Sequence, residues 1–186
     1  MKHLFHIIFF CSLVAFFSCG PEKPKEKPHY IYNEKAIKDQ FVKANQALTQ
    51  KENDDMNSYV NTHHMNFVKT NSGVRYFVYK PSLKGDSIKQ LGDSIRKENV
   101  IKADFTVSLL DGTECYSTAK DGPRTIVVGH EDIESGLQIG LQYLKKGDKA
   151  IILIPSHLAH GLLGDMNKIP PQTPIVYDIQ IHEESK

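Results

Sequence analysis

Cysteine, charge excess and long apolar runs are all scarce in this chain of 186 residues. The three cysteines are Cys11, Cys19 and Cys115. The first two lie in or beside an apolar N-terminal stretch, so a mature domain would keep Cys115 alone, and a single thiol cannot close an internal disulfide. Such a domain depends on its apolar core for stability. Lysine and arginine number 23 and aspartate and glutamate 22. Removing the first eighteen residues takes away Lys2 and no acid, which leaves 22 of each. A chain without net charge has no general hold on phosphate, so nucleic acid is excluded as a partner.

The longest apolar stretch covers residues 4–17 and is interrupted only by His6 and Ser12. Fourteen residues are too few to span a bilayer comfortably, and the layout is that of a secretory h-region. It runs into FFSCG, where small Ser18 precedes Cys19 and Gly20 follows. This resembles the lipobox of bacterial lipoproteins, with Phe16 where that pattern has leucine. The resemblance implies cleavage before Cys19, acylation of its side chain, and attachment to a membrane of the cell envelope through buried methylenes. Residues 21–29, PEKPKEKPH, form a stiff, solvated spacer behind the anchor.

Metal ligands are scarce as well. IPSHLAHG, residues 154–161, sets His157 and His160 three apart, a spacing that can put two imidazoles on one side of a helical turn. Zinc needs a third protein ligand, and the flanks hold neither an HExxH glutamate nor a CxxC pair. Pro155 and Gly161 mark a short turn instead of a helix. No metal and no cofactor is expected. His63 and His64 are adjacent, do not share a helix face, and read as a polar helix end.

From residue 34 to about 61, Ile37, Phe41, Ala44, Leu48, Met56, Tyr59 and Val60 recur mostly at threes and fours without a proline. The pattern predicts an amphipathic helix, with a break at the polar stretch 53–55. Its stripe either packs on its own domain or pairs with a second copy as a homodimer through residues 34–61. Beyond Gly73 the period changes to that of strands. They are expected at 74–80, 101–110, ECYST, TIVVG, AIILI and 174–181, with a DG turn at Asp111 and Gly112. Ile133, Leu137, Leu141 and Leu144 outline one short helix. The fold class that follows is α+β, an antiparallel sheet wrapped on that helix.

Taken in order, the DG turn, VGHEDIESGLQIGLQYLKKGDKAIILIP, the AHG corner and IPPQTPIVYDIQI resemble the FKBP-type peptidyl-prolyl isomerases over roughly residues 73–183. The CYS after the turn and the PSH before the corner resemble a lipoprotein branch that includes the gliding-motility-associated isomerases. The resemblance implies a half-barrel sheet curled around one helix, with a proline-binding pocket between them. It also implies a division into a signal at 1–18, a tether at 19–33, a helical arm at 34–68 and a domain at 73–184.

Carried over residue by residue, the resemblance makes Phe105, Cys115, Ile133, Leu137, Ile169 and Tyr177 the pocket walls. The backbone N–H of Glu134 becomes the donor to the substrate carbonyl. His160 stands in for the family's pocket tyrosine, since an imidazole N–H can also donate, and His157 falls at a surface position. Several family positions are altered: Phe105 replaces tyrosine, Cys115 a wall phenylalanine, Tyr116 an aspartate, Arg124 an aromatic residue and Leu137 a tryptophan. Two functions follow. One is an envelope-anchored isomerase with a weakened pocket, acting on proline-containing polypeptides during folding of exported proteins. The other is a non-catalytic chaperone or envelope-complex binding module on the same fold.

Overall fold

The structure is a computed structural model and describes residues 33–81, 94–130 and 133–182. The signal, the Cys19 anchor and the spacer expected from the sequence lie outside the described residues. The described residues fall into two units, with the boundary between Gln40 and Phe41.

Helix α1, Glu34–His63, opens on Asn33, whose side-chain oxygen accepts the Ala36 N–H at 3.1 Å, a side-chain N-cap. It runs unbroken through 53–55, which corrects the break expected there. The Lys51–Asp55 and Gln50–Asp54 pairs, one turn apart, support the backbone across the polar stretch. His64, at φ 52°, ends the helix.

Strands β1 (Val68–Lys69), β2 (Arg75–Lys80), β3 (Val100–Leu109), β4 (Glu114–Ser117), β5 (Arg124–Val127), β6 (Lys149–Ile154) and β7 (Ile175–Ile181) form one antiparallel sheet. The order is β1-β2-β6-β7-β3-β4, with β5 also on β3. β7 lies at the centre, in register with β3 from Ala103↔Ile181 to Leu109↔Ile175 and with β6 from Lys149↔Gln180 to Ile154↔Ile175. The β3–β4 hairpin turns on Asp111-Gly112. Gly112 takes φ +88°, a conformation that costs glycine little, and the Asp111 carboxylate accepts the Thr113 N–H at 2.9 Å.

Helix α2, Ser135–Leu141, lies against one face of the sheet. Its glycines allow close approach, because a side chain on Gly140 would meet the Ile152 methyls at under 3.0 Å and one on Gly136 would collide with Ile154. That face carries the main core, in which Ile101, Ile126, Leu137, Leu141, Ile152, Ile154, Ile175 and Ile179 are buried together. Strand alternation sends Leu153 and Val176 to the other face, where they form a second cluster with Met56 of α1, flanked by Tyr59, Phe67, Leu110 and Ile151. The AIILI run is continuously apolar because both of its faces are covered.

The stripe of α1 therefore divides. Its C-terminal half packs on its own sheet, while Phe41 and Val42 remain 66% and 45% exposed. None of the helices among the described residues is long and apolar enough to cross a membrane.

Candidate functional site

A cavity of about 660 Å³ opens beside the core face of the sheet. Four strands reach it: Phe105 comes from β3, Tyr116 and Ser117 from β4, Arg124 from the start of β5 and Tyr177 from β7. Glu134 arrives from the residue before α2, and His160 from the turn after β6. Asp165 and Asn167 come from the loop that leads into β7. The floor is aromatic, with the Phe105 and Tyr177 rings 5.4 Å apart at 56°.

The rim is polar and interlinked. Tyr177 donates its hydroxyl to Glu134 Oε2 at 2.8 Å. Burial first, and then the Glu134 carboxylate, raise the Tyr177 phenol far above its ordinary value, so it remains a donor. The other carboxylate oxygen, Oε1, lies 3.1 Å from His160 Nε2. That distance is within ion-pair range, and Nε2 is shielded from solvent without a hydrogen-bond partner.

Across the cavity Tyr116 donates to Asp165 Oδ2, and the N–H groups of Asn167 and Ile169 donate to Oδ1 at 2.9 and 2.8 Å. Burial opposes charge on Asp165, but these three donors, with His160 nearby, outweigh it and hold the carboxyl down at about 2.

Of the residues expected at a pocket, the cavity lining includes Phe105, Tyr116, Glu134, His160 and Tyr177. Cys115, Leu137 and Ile169 are instead enclosed in the core at 1%, 1% and 2% exposure, and Ile133 packs against that core partly buried. The two histidines of the 154–161 turn go separate ways: His160 lines the cavity while His157 is exposed. Among the described residues no group of three His, Cys, Asp or Glu side chains is placed to hold a metal.

Asp165 and Asn167 had no signal in the sequence reading, because the Tyr116–Asp165 contact joins residues 49 apart and exists only once the loop is folded. A second cavity, of about 580 Å³, lies between α1 and residues 109–111 and 170–174, and none of the expected pocket residues lines it.

Chemically, the main cavity offers an aromatic floor and fixed donors and acceptors at its edge. It suits a flat apolar ring whose flanking amides are hydrogen-bonded at the rim.

The model of the FKBP-type peptidyl-prolyl cis-trans isomerase family matches residues 92–182. An FKBP-type isomerase named FkpA from Buchnera aphidicola (subsp. Schizaphis graminum) is 35% identical over 114 residues, covering 61% of this chain and 41% of that protein. The chain thus spans about two fifths of that relative's length. The crystal structure of FkpA from Escherichia coli superimposes with a TM-score of 0.56 at 17% identity, over 98% of this chain and 81% of that one. A peptidyl-prolyl isomerase structure from Pseudomonas syringae pv. tomato gives 0.58 at 20% identity, over 76% and 96%. At these identities the two structures speak for the fold.

Proposed function

We propose that this chain, whose residues 92–182 match the model of the FKBP-type peptidyl-prolyl cis-trans isomerase family, isomerises X-Pro bonds in exported polypeptides. The observation that carries the reading is the cavity itself, an aromatic floor of Phe105 and Tyr177 under a rim of Glu134 and His160.

Rotating a prolyl amide breaks its resonance against a barrier of about 18–20 kcal/mol. The twisted amide has less charge separation than the planar one. A site that excludes water and fits the twisted form therefore lowers the barrier by differential binding, with no nucleophile and no metal. Phe105 and Tyr177 receive the proline ring, the Glu134 backbone N–H receives the carbonyl, and His160 supplies the side-chain donor. Because Nε2 faces Glu134, donation to a peptide requires Glu134 to release it.

Cys115, Leu137 and Ile169 belong to the same core cluster as Tyr177, with Phe105 and Ile133 packed against it. Charged Arg124 and the enclosure of Cys115 and Leu137 make the cavity a weaker proline site than an all-aromatic one.

The wider setting is inferred from the sequence. The chain is divided as 1–18, 19–33, 34–68 and 73–184, is acylated at Cys19, and is held to an envelope membrane in a lipoprotein branch of the family. Exposed Phe41 and Val42 support an association of two copies through residues 34–61.

The test is refolding of a protein limited by a slow prolyl step. The rate should rise linearly with added chain and fall about ten-fold in His160→Ala, the equivalent of one hydrogen bond of roughly 1–1.5 kcal/mol. No acceleration from a folded chain would reject catalysis. It would favour the second reading, a binding module, for which the charged rim of Arg124, Glu134 and Asp165 is the supporting observation.

A further inference from the structure

Glu52 of α1 is an acidic side chain only 7% exposed, and both of its carboxylate oxygens are taken by one residue of another element. The Ser156 backbone N–H donates to Oε2 at 3.1 Å, and the Ser156 hydroxyl donates to Oε1. A carboxylate is costly to enclose unless hydrogen bonds replace its water. Two donors from one residue make this a directed attachment.

The Ser156 carbonyl in turn accepts the N–H of Ala159 at 3.0 Å and of Gly161 at 2.8 Å. These are the residues on either side of His160. Ser156 thus closes the turn that delivers the imidazole, and its own donors are both held from α1.

We propose that Glu52 is a positioning residue for the cavity. By holding both donors of Ser156 it fixes where the 156–161 turn places His160, so α1 sets the geometry of a site to which it contributes no lining residue. The effect on catalysis rests on the isomerase reading; the effect on the imidazole does not.

The test uses the full chain carrying ¹³C-labelled histidine, with the His160 ring signal assigned through His160→Gln. Glu52→Ala should move that signal, and Glu52→Gln, which keeps one oxygen acceptor, should move it less. Asn57→Ala, which loosens α1 by removing an acceptor from Arg75 without touching Ser156, should leave it in place. In the prolyl refolding assay Glu52→Ala should lower kcat/KM by up to about ten-fold, no more than the loss expected of His160→Ala itself, since it acts through that side chain.

A His160 signal unmoved in folded Glu52→Ala, or moved as far by Asn57→Ala, overturns the proposal. Should the alanine variant fail to fold, an unmoved signal in Glu52→Gln overturns it equally. A wild type without isomerase activity rejects the isomerase reading alone, and the ring signal still decides the role of Glu52.

Discussion

Under α2 the sheet presents Ile152, Ile154, Ile175 and Ile179 to Leu137 and Leu141. Under α1 it presents Leu153 and Val176 to Met56 in a smaller cluster flanked by Tyr59 and Phe67, and that attachment also carries directed hydrogen bonds. Arg75, 3% exposed, donates to the Asn53 carbonyl and side chain and to the Asn57 side chain, while Lys69 also reaches Asn53. Hydrocarbon contact is strong but non-directional, whereas hydrogen bonds are modest in net energy and demanding in geometry. One face therefore supplies most of the stability of the sheet, and the other fixes the orientation in which α1 docks.

The comparison is sharpest for Ile152→Ala, which should cost about 2–5 kcal/mol, the range for emptying a buried aliphatic site. Urea unfolding reads it directly. Next, Arg75→Met should cost about 1–3 kcal/mol by leaving the asparagine acceptors without their donor. If Arg75→Met costs as much as Ile152→Ala in the same titration, the distinction between the two faces fails.

The smallest effect belongs to the cavity rim. Asp165 is held down at about 2 in the folded chain, below the usual carboxylate value near 3.9. A depressed carboxyl contributes stability above its unfolded value and loses it as pH falls through the folded one. Tyr116→Phe should therefore lower the melting temperature at pH 6, with the gap from wild type narrowing between about pH 4 and pH 2. A gap independent of pH would separate Tyr116 from Asp165.

The strands were legible where burial on one face imposes a period of two, as in 175–181, and where a strong turn residue sits between them, as at Gly112. β1 is two residues long and has no period to read. The supposed break at 53–55 shows how tertiary contact overrides local polarity, since Asn53 is the anchor for Arg75 and Lys69. At the cavity, resemblance supplied positions for Phe105, Glu134, His160 and Tyr177. It could not supply Asp165, whose partner is remote in sequence, nor the turning of His160 toward Glu134, which depends on side-chain identity at both positions. Glu52 was invisible for the same reason: an acid on a polar helix face looks solvated until Ser156 arrives 104 residues later.

Cys115 gives this domain a clock. It is enclosed on β4 at 1% exposure, with its Sγ directed at the carbonyls of Thr113 and Lys168 at 3.8 and 3.7 Å. Burial first, and the Asp165 carboxylate second, hold its thiol above the ordinary value. A sulfur that is both sheltered and protonated reacts with a thiol reagent only after the surrounding structure opens. Its labelling rate in native buffer counts those openings. Because the next residue, Tyr116, lines the cavity, a polypeptide seated there should slow the count, which makes occupancy measurable without a dye, a second label or any turnover.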